Sequence, residues 1–353
     1  MKMLRHFTYT VTLLLVSLSS LTSCVDVDEF SNDKRGNFEA LWTIMDERYC
    51  FFSEKKAELG VDWNEIRQEY SAQVNEKMSN TQLFEFLSSM LGTLRDGHVN
   101  LSSSSDYSRS WSWKEDYPKN FSDSLMRRYL GKSTEYKISC GMSYRILSDN
   151  IGYVYLGSFE DNLGEGNIGE VLDYLSPCNA LIIDIRNNGG GQLTEAQKLA
   201  AHFTDTPLTA GYMRHKTGAA HDDFSDWQSV TIKPSAGIRW HKPVCILTNR
   251  SVYSAANEFV KYMKAIGNNN LQLGSPTLIT IVGDSTGGGS GMPYSNELPN
   301  GWAIRMSACP MYDNQKQCTE FGISPDVSIT LTQEDALQGF DSIIEKARAI
   351  LNK

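Results

Sequence analysis

A serine at a strand-to-helix junction can be a nucleophile when its hydroxyl stands on a tight turn with free amides beside it. Ser254 has that setting. It follows the apolar segment Pro243–Leu247 and opens a helix predicted over Ser254–Ile266, with small Ala255 and Ala256 behind it. The same residue would also serve as a plain helix N-cap. A second candidate is Asp184-Ile185-Arg186-Asn187-Asn188-Gly189-Gly190-Gly191, between a buried strand and a helix. Consecutive glycines permit positive φ and leave N–H groups unobstructed, which suits a developing negative charge, although a flexible connection reads the same way. The Asp184–Gly191 segment has neither GxGxxG spacing nor a following Gly-Lys-Ser/Thr, so it is not a dinucleotide or phosphate loop. Ser254 itself does not stand in the hydrolase elbow GxSxG.

Two more residues have the chemistry to join them. His98 follows an Asp-Gly turn at the close of a helical region, either as a base or as a histidine satisfied at a helix end. The other histidines, apart from His6 in the leader, lie within a helix (His202) or in polar stretches (His215, His221, His241). Glu320 precedes the turn Gly322-Ile323-Ser324-Pro325-Asp326, as an orienting carboxylate or as a solvated glutamate.

The elements that must position these groups come from periodicity. Phe38, Leu41, Trp42, Met45, Tyr49 and Phe52 share one helical face. Asp62 with Glu65 reads as a capping box for a second helix, and a third runs from Thr81 to about Leu94. A serine-, aspartate- and aromatic-rich stretch including Trp111 and Trp113 reads as a long surface loop. Strands Tyr144–Leu147 and Ile151–Leu156 form a hairpin, followed by helix 164–176, strand Ala180–Ile185, helix 192–203, strand Pro243–Leu247 and the helix after Ser254. Glu334–Leu351 closes the chain as one amphipathic helix. Strands alternating with helices imply an α/β domain. The expected division is 1–23 leader, 24–36 acidic tether, 37–98 helical module, 99–135 loop or linker and 136–353 core.

Composition limits the function. The 353 residues carry 33 Lys+Arg against 42 Asp+Glu, a net charge of −9, which argues against a nucleic-acid partner. Lys2 and Arg5 precede an uncharged apolar run, Val11–Leu21, too short to span a bilayer comfortably. The run ends in Leu21-Thr22-Ser23-Cys24, which resembles a bacterial lipobox; Cys24 is then the lipidated mature N-terminus in the cell envelope, at the outer membrane facing periplasm or exterior. Of the other cysteines, Cys178 and Cys245 read as buried thiols, Cys309 and Cys318 are close enough in sequence to pair, and no CxxC spacing suggests a metal. No metal or cofactor is expected.

The four segments, taken in order, resemble the tricorn-like branch of the C-terminal processing serine peptidases. The match runs through Asp96-Gly97-His98, then Asp184, Arg186, Asn188, Gly189 and Gly190, then Ser254-Ala255-Ala256, then Glu320, Gly322, Pro325 and Asp326, over residues 37–330. The resemblance implies a ClpP/crotonase-like spiral β-sheet with flanking helices behind a small helical module. Residues 99–150 are too few for the PDZ domain common in the family, so none is expected. It implies Ser254 as nucleophile, His98 as base, Glu320 holding the imidazole, and an oxyanion hole from Ala255 with Gly189 or Gly190. Many relatives use a lysine base in a Gly-Glu-Pro-Thr-x-Gly-Lys-Gly loop; here Gly289 takes the lysine's place in Gly283–Ser290, and no lysine lies between Lys264 and Lys316. The serine that precedes histidine in tricorn-like relatives is Gly97 here. A polypeptide substrate follows. The rivals are a peptide-binding protein without useful catalysis and a crotonase-like acyl-CoA enzyme, for which the chain shows no basic phosphate site.

Overall fold

The structure, a computed structural model, describes residues 30–108 and 112–353. The leader, Cys24 and Trp111 lie outside the described residues. The first helix, α1 (Lys34–Arg48), starts inside the expected tether because the Asp33 side chain caps it by accepting from the Gly36 amide at 2.7 Å. The apolar stripe from Phe38 to Phe52 predicts one unbroken helix, but the ladder stops at Tyr49. There the Cys50 amide turns outward and donates to the Ser307 carbonyl at 3.0 Å. A separate helix, α2 (Phe52–Leu59), follows, ended by left-handed Gly60. Then come α3 (Trp63–Ser71), capped by Asp62, and α4 (Asn80–Gly92), with a Ser79/Gln82 capping box. The module therefore has four helices rather than three.

The expected loop at 99–135 holds more structure than its composition suggests: β1 (Asn100–Ser102), a 3-10 turn at Ser112–Asp116 and α5 (Asp123–Leu130). No separate domain fits there. The core then runs β2 (Lys137–Ser139), β3 (Met142–Ile146), β4 (Ile151–Leu156), α6 (Glu165–Leu175), β5 (Ala180–Asp184) and α7 (Leu193–Ala200). It continues with β6 (Leu208–Met213), β7 (Gln228–Ile232), β8 (Val244–Thr248), α8 (Ala255–Gln272), β9 (Ile279–Gly283), β10 (Gly291–Glu297), β11 (Ala303–Tyr312) and β12 (Val327–Ser328). Two helices close the chain, α9 (Gln333–Gln338) and α10 (Ser342–Leu351); left-handed Gly339 divides what the sequence suggests is one.

The strands form two sheets. The larger has the order β12-β9-β8-β5-β4-β3-β2, parallel from β12 to β4 and antiparallel beyond. Its central strands are covered on both faces, with Leu181 and Ile183 packed under α6 to α8, and Ile182 and Cys245 against α5 and α10. This is why they read as continuous apolar runs. The second sheet, β1-β11-β6-β7 with β10 also on β11, is antiparallel. Its β11 residues Ile304 and Met306 share one apolar cluster with Phe38, Leu41, Leu83 and Leu87 of the helical module. The result is a mixed α/β fold of sheets flanked by helices behind a helical module, as expected.

Topology sets the site. β5, β8 and β9 are parallel neighbours, so the turns at their C-terminal ends lie side by side. Those turns are 185–192, 249–254 and 284–290.

Candidate active site

Ser254 occupies a left-handed elbow (φ 56°, ψ −125°) between β8 and α8. A non-glycine residue held there is strained, and the surroundings must hold it in place. The Ser254 amide donates to the Gly288 carbonyl at 2.9 Å and its carbonyl accepts from the Glu258 amide at 3.0 Å. Its side chain caps nothing in the helix. Instead the hydroxyl lies 3.0 Å from His98 Nε2. The N-cap alternative for this serine therefore does not describe the structure.

Behind Ser254, Gly190 makes the approach possible. At φ 105° a Cβ on Gly190 would lie 2.8 Å from Ser254 Cβ and 2.7 Å from the Tyr253 carbonyl oxygen. The turn is held by Asn188, whose Oδ1 accepts from the Gly190 amide at 2.9 Å while its Nδ2 donates to the Leu156 carbonyl. That bond occupies the Gly190 N–H. Among the described residues, the Gly189 and Ala255 amides, on the two turns that meet at Ser254, donate to no protein acceptor and are open to a ligand oxygen. The base of the turn is a buried ion network. Arg186 donates to both oxygens of Asp184 (2.9 and 2.6 Å) and both of Asp341 (3.0 and 2.9 Å). The Asp-x-Arg part of the motif thus holds the turn rather than touching the site.

His98 is buried, its ring 5.1 Å from that of Tyr253. Burial, with Arg305, Lys114 and Lys55 adding to it, lowers its pKa to about 4 despite the opposing charge of Asp96. It is therefore the neutral imidazole around pH 7, as a general base must be. Its Nδ1 is buried and makes no hydrogen bond; the Asp96 carboxylate lies 4.0 Å away.

Glu320 is also buried beside these groups, but it does not hold the imidazole directly. Its Oε1 accepts from Lys55 Nζ at 2.8 Å and its Oε2 from the Ser290 amide at 3.0 Å. The carboxylate–imidazole hydrogen bond that the resemblance implies is absent because both oxygens are turned to these donors. Burial, and then the charge of Asp96, push Glu320 up to about 8. For Lys55, burial is outweighed by Glu320 and Asp96, so its ammonium is held above the usual range. One ammonium thus faces two buried carboxylates, and of the two Asp96 is the one held below its ordinary value.

Around Gly289, at φ 79°, a Cβ would come within 2.4 Å of the Tyr253 ring. A lysine does not fit there. Lys261 is buried against Glu258, and Lys264 donates to Asp326 at 2.9 Å and to the Ser324 carbonyl, so neither reaches Ser254. Gly97, where relatives have serine, donates its amide to the Tyr253 hydroxyl at 2.9 Å. Cys309 and Cys318 are free thiols, so the suggested pair is not formed; Cys178 and Cys245 are buried as expected. Among the described residues no cluster of three potential metal ligands occurs.

Sequence reasoning passed over Asp96, Lys55 and Tyr253. Asp96 stood inside the Asp-Gly-His segment and was legible only as a turn residue. Lys55 was hidden by the unrecognised break before α2, and Tyr253 by its resemblance to a core aromatic.

The fold thus brings a serine on a strand–helix elbow against a histidine from the segment after the helical module. The pattern of peptidase family S41 matches residues 150–329 and that of the tricorn protease C1 domain matches residues 30–92. The chain belongs to peptidase family S41. It is similar to a crystal structure from Parabacteroides merdae described as that of a candidate peptidase, at 45% identity and TM-score 0.83, over 91% of this chain and 97% of that one. It also shares its fold with mature CPAF in complex with lactacystin, at 12% identity and TM-score 0.69, over 91% and 97% of the two chains. A third is the photosystem II D1 C-terminal processing protease, at 15% identity and TM-score 0.50, over 88% and 97%.

Proposed function

We propose that the protein is a lipid-anchored serine peptidase of the bacterial envelope that cleaves polypeptides with Ser254 as nucleophile. The observation that carries this reading is the 3.0 Å contact between an uncapped Ser254 hydroxyl and neutral, buried His98. Ser254 attacks the scissile carbonyl while His98 takes its proton at Nε2. The tetrahedral oxyanion is received by the amides of Ala255 and Gly189, and His98 returns the proton to the leaving amine. Water then attacks the acyl-enzyme by the same route in reverse. Glu320 contributes at one remove: with the Ser290 amide it holds Lys55 against the back of the site. The anchor rests on the Leu21-Thr22-Ser23-Cys24 segment and the acidic stretch after it. Firm attachment requires more than one acyl chain.

A fluorophosphonate probe tests the reading. It is expected to label Ser254 in the wild-type protein and to leave Ser254→Ala unlabelled. A protein that binds peptides but is neither labelled nor able to cleave would instead be the non-catalytic peptide binder. For the anchor, Cys24→Ser is expected to release the protein to the soluble fraction or leave it unprocessed. A mutant that stays membrane-bound and correctly processed removes the lipoprotein reading.

A further inference from the structure

We propose that Asp96 is the carboxylate that positions His98 and stabilises its imidazolium, the part that the family resemblance gives to Glu320. This rests on the peptidase reading above. Of the two buried carboxylates, Asp96 is the one that faces the ring. His98 Nδ1 is buried without a hydrogen-bond acceptor, and Asp96 Oδ1 lies 4.0 Å from it. Both oxygens of Glu320 are committed elsewhere, to Lys55 and to the Ser290 amide.

Asp96 is held more firmly than a structural turn needs. Its Oδ1 accepts from the His98 amide at 2.8 Å and the Tyr253 hydroxyl at 3.0 Å, while its Oδ2 accepts from Tyr49 at 3.1 Å and Ser307 at 2.8 Å. Four donors converge on one buried carboxylate, drawn from its own turn, the nucleophile elbow, the end of α1 and β11. Against the effect of burial, the charge of Lys55, and then the hydrogen bonds from the His98 amide and Ser307, hold the carboxyl below its ordinary value and keep it ionised. The bond to the His98 amide also fixes the backbone that carries the imidazole, so one group sets both the place of the ring and the field on it. A separation of 4.0 Å is beyond a hydrogen bond, so Asp96 acts by charge and not by taking a proton. When His98 accepts the Ser254 proton, the new positive charge forms beside a fixed anion that needs no reorganisation. Asp96 touches no reacting atom. It is a positioning residue.

Asp96→Asn keeps the shape and removes the charge. It is expected to lower kcat about 10²–10⁴-fold with little change in KM, as loss of an imidazole's orienting carboxylate does in other serine peptidases. A charge that stabilises the imidazolium raises the His98 pKa, so its removal must move the acidic limb of kcat/KM to lower pH. Tyr49→Phe and Ser307→Ala, made singly, each remove one donor from Oδ2 but leave the charge. Each is expected to keep turnover within about tenfold of wild type. A folded Asp96→Asn protein with wild-type kcat or an unmoved acidic limb overturns the proposal. So does a loss from Tyr49→Phe or Ser307→Ala as large as 10²-fold, which would make the cluster a structural knot; that arm stands even if Asp96→Asn does not fold. Fluorophosphonate labelling of wild-type Ser254 is the control. Without labelling the peptidase reading fails, whereas labelling that is equally fast in Asp96→Asn defeats this inference alone.

Discussion

His98 sits in a setting that moves it far from its ordinary range. From sequence, a histidine base implies a limb near the unperturbed value of about 6.5. Burial takes it down to about 4. The acidic limb of kcat/KM in the free enzyme is thus expected well below 6, and a limb at the unperturbed value would mean that the ring is hydrated. The same shift has a stability consequence. Between about pH 4 and 6.5 the unfolded chain binds the proton that folded His98 refuses, so stability from this group is complete above 6.5 and falls with pH through that window. Equilibrium urea unfolding of His98→Gln should show a shallower loss of stability over that interval. At Gly190 a Cβ would overlap Ser254 Cβ and the Tyr253 carbonyl. Gly190→Ala is therefore expected to cut kcat at least about 10²-fold, the scale of a lost oxyanion donor, because the turn that presents Gly189 must shift. Wild-type turnover in that variant would remove the 189–190 turn from the site.

At the scale of elements, what was legible followed from burial. Strand β4 and the apolar runs of β5 and β8 read correctly because both faces of a parallel sheet are covered, and the Ser254 elbow followed from their ends. The second sheet was not legible. Its strands β6, β7, β10 and β11 do not alternate buried with exposed residues, and β6 and β10 carry bulges at Thr209/Gly211 and Met292/Pro293 that break a period of two. The break between α1 and α2 was equally hidden, since the bond that makes it, Cys50 to Ser307, joins residues far apart in the chain. That break has a functional product. It turns α2 so that Lys55 enters the site and meets Glu320. Lys55→Met leaves two buried carboxylates without their ammonium and is expected to cost about 3–5 kcal/mol, read by chemical denaturation. Lys55→Met with Glu320→Leu should recover much of that loss, and a double variant no more stable than the single one would show that the pair is not coupled.

At the scale of the whole molecule, the helical module and the peptidase core share their interior. The expected boundary near residue 98 suggests a detachable module, yet Ile304 and Met306 of β11 pack into the same cluster as Phe38, Leu41, Leu83 and Leu87. The site crosses the same seam, with Asp96 and His98 from the segment after α4, Lys55 from α2 and Ser254 from the core. A seam that holds both an apolar cluster and a catalytic contact should not open by itself, because parting it exposes apolar surface and strands Glu320 without Lys55. Module and core are thus expected to unfold in one transition. Leu87, fully buried in α4, provides the test. Leu87→Ala should cost about 2–5 kcal/mol. In pulse proteolysis across a urea series, cleavage in the module, cleavage in the core and loss of fluorophosphonate labelling at Ser254 should all move to lower urea by the same amount. A variant whose module becomes cleavable while the core keeps its wild-type midpoint would show two independent units and a base that leaves the nucleophile whenever the module opens.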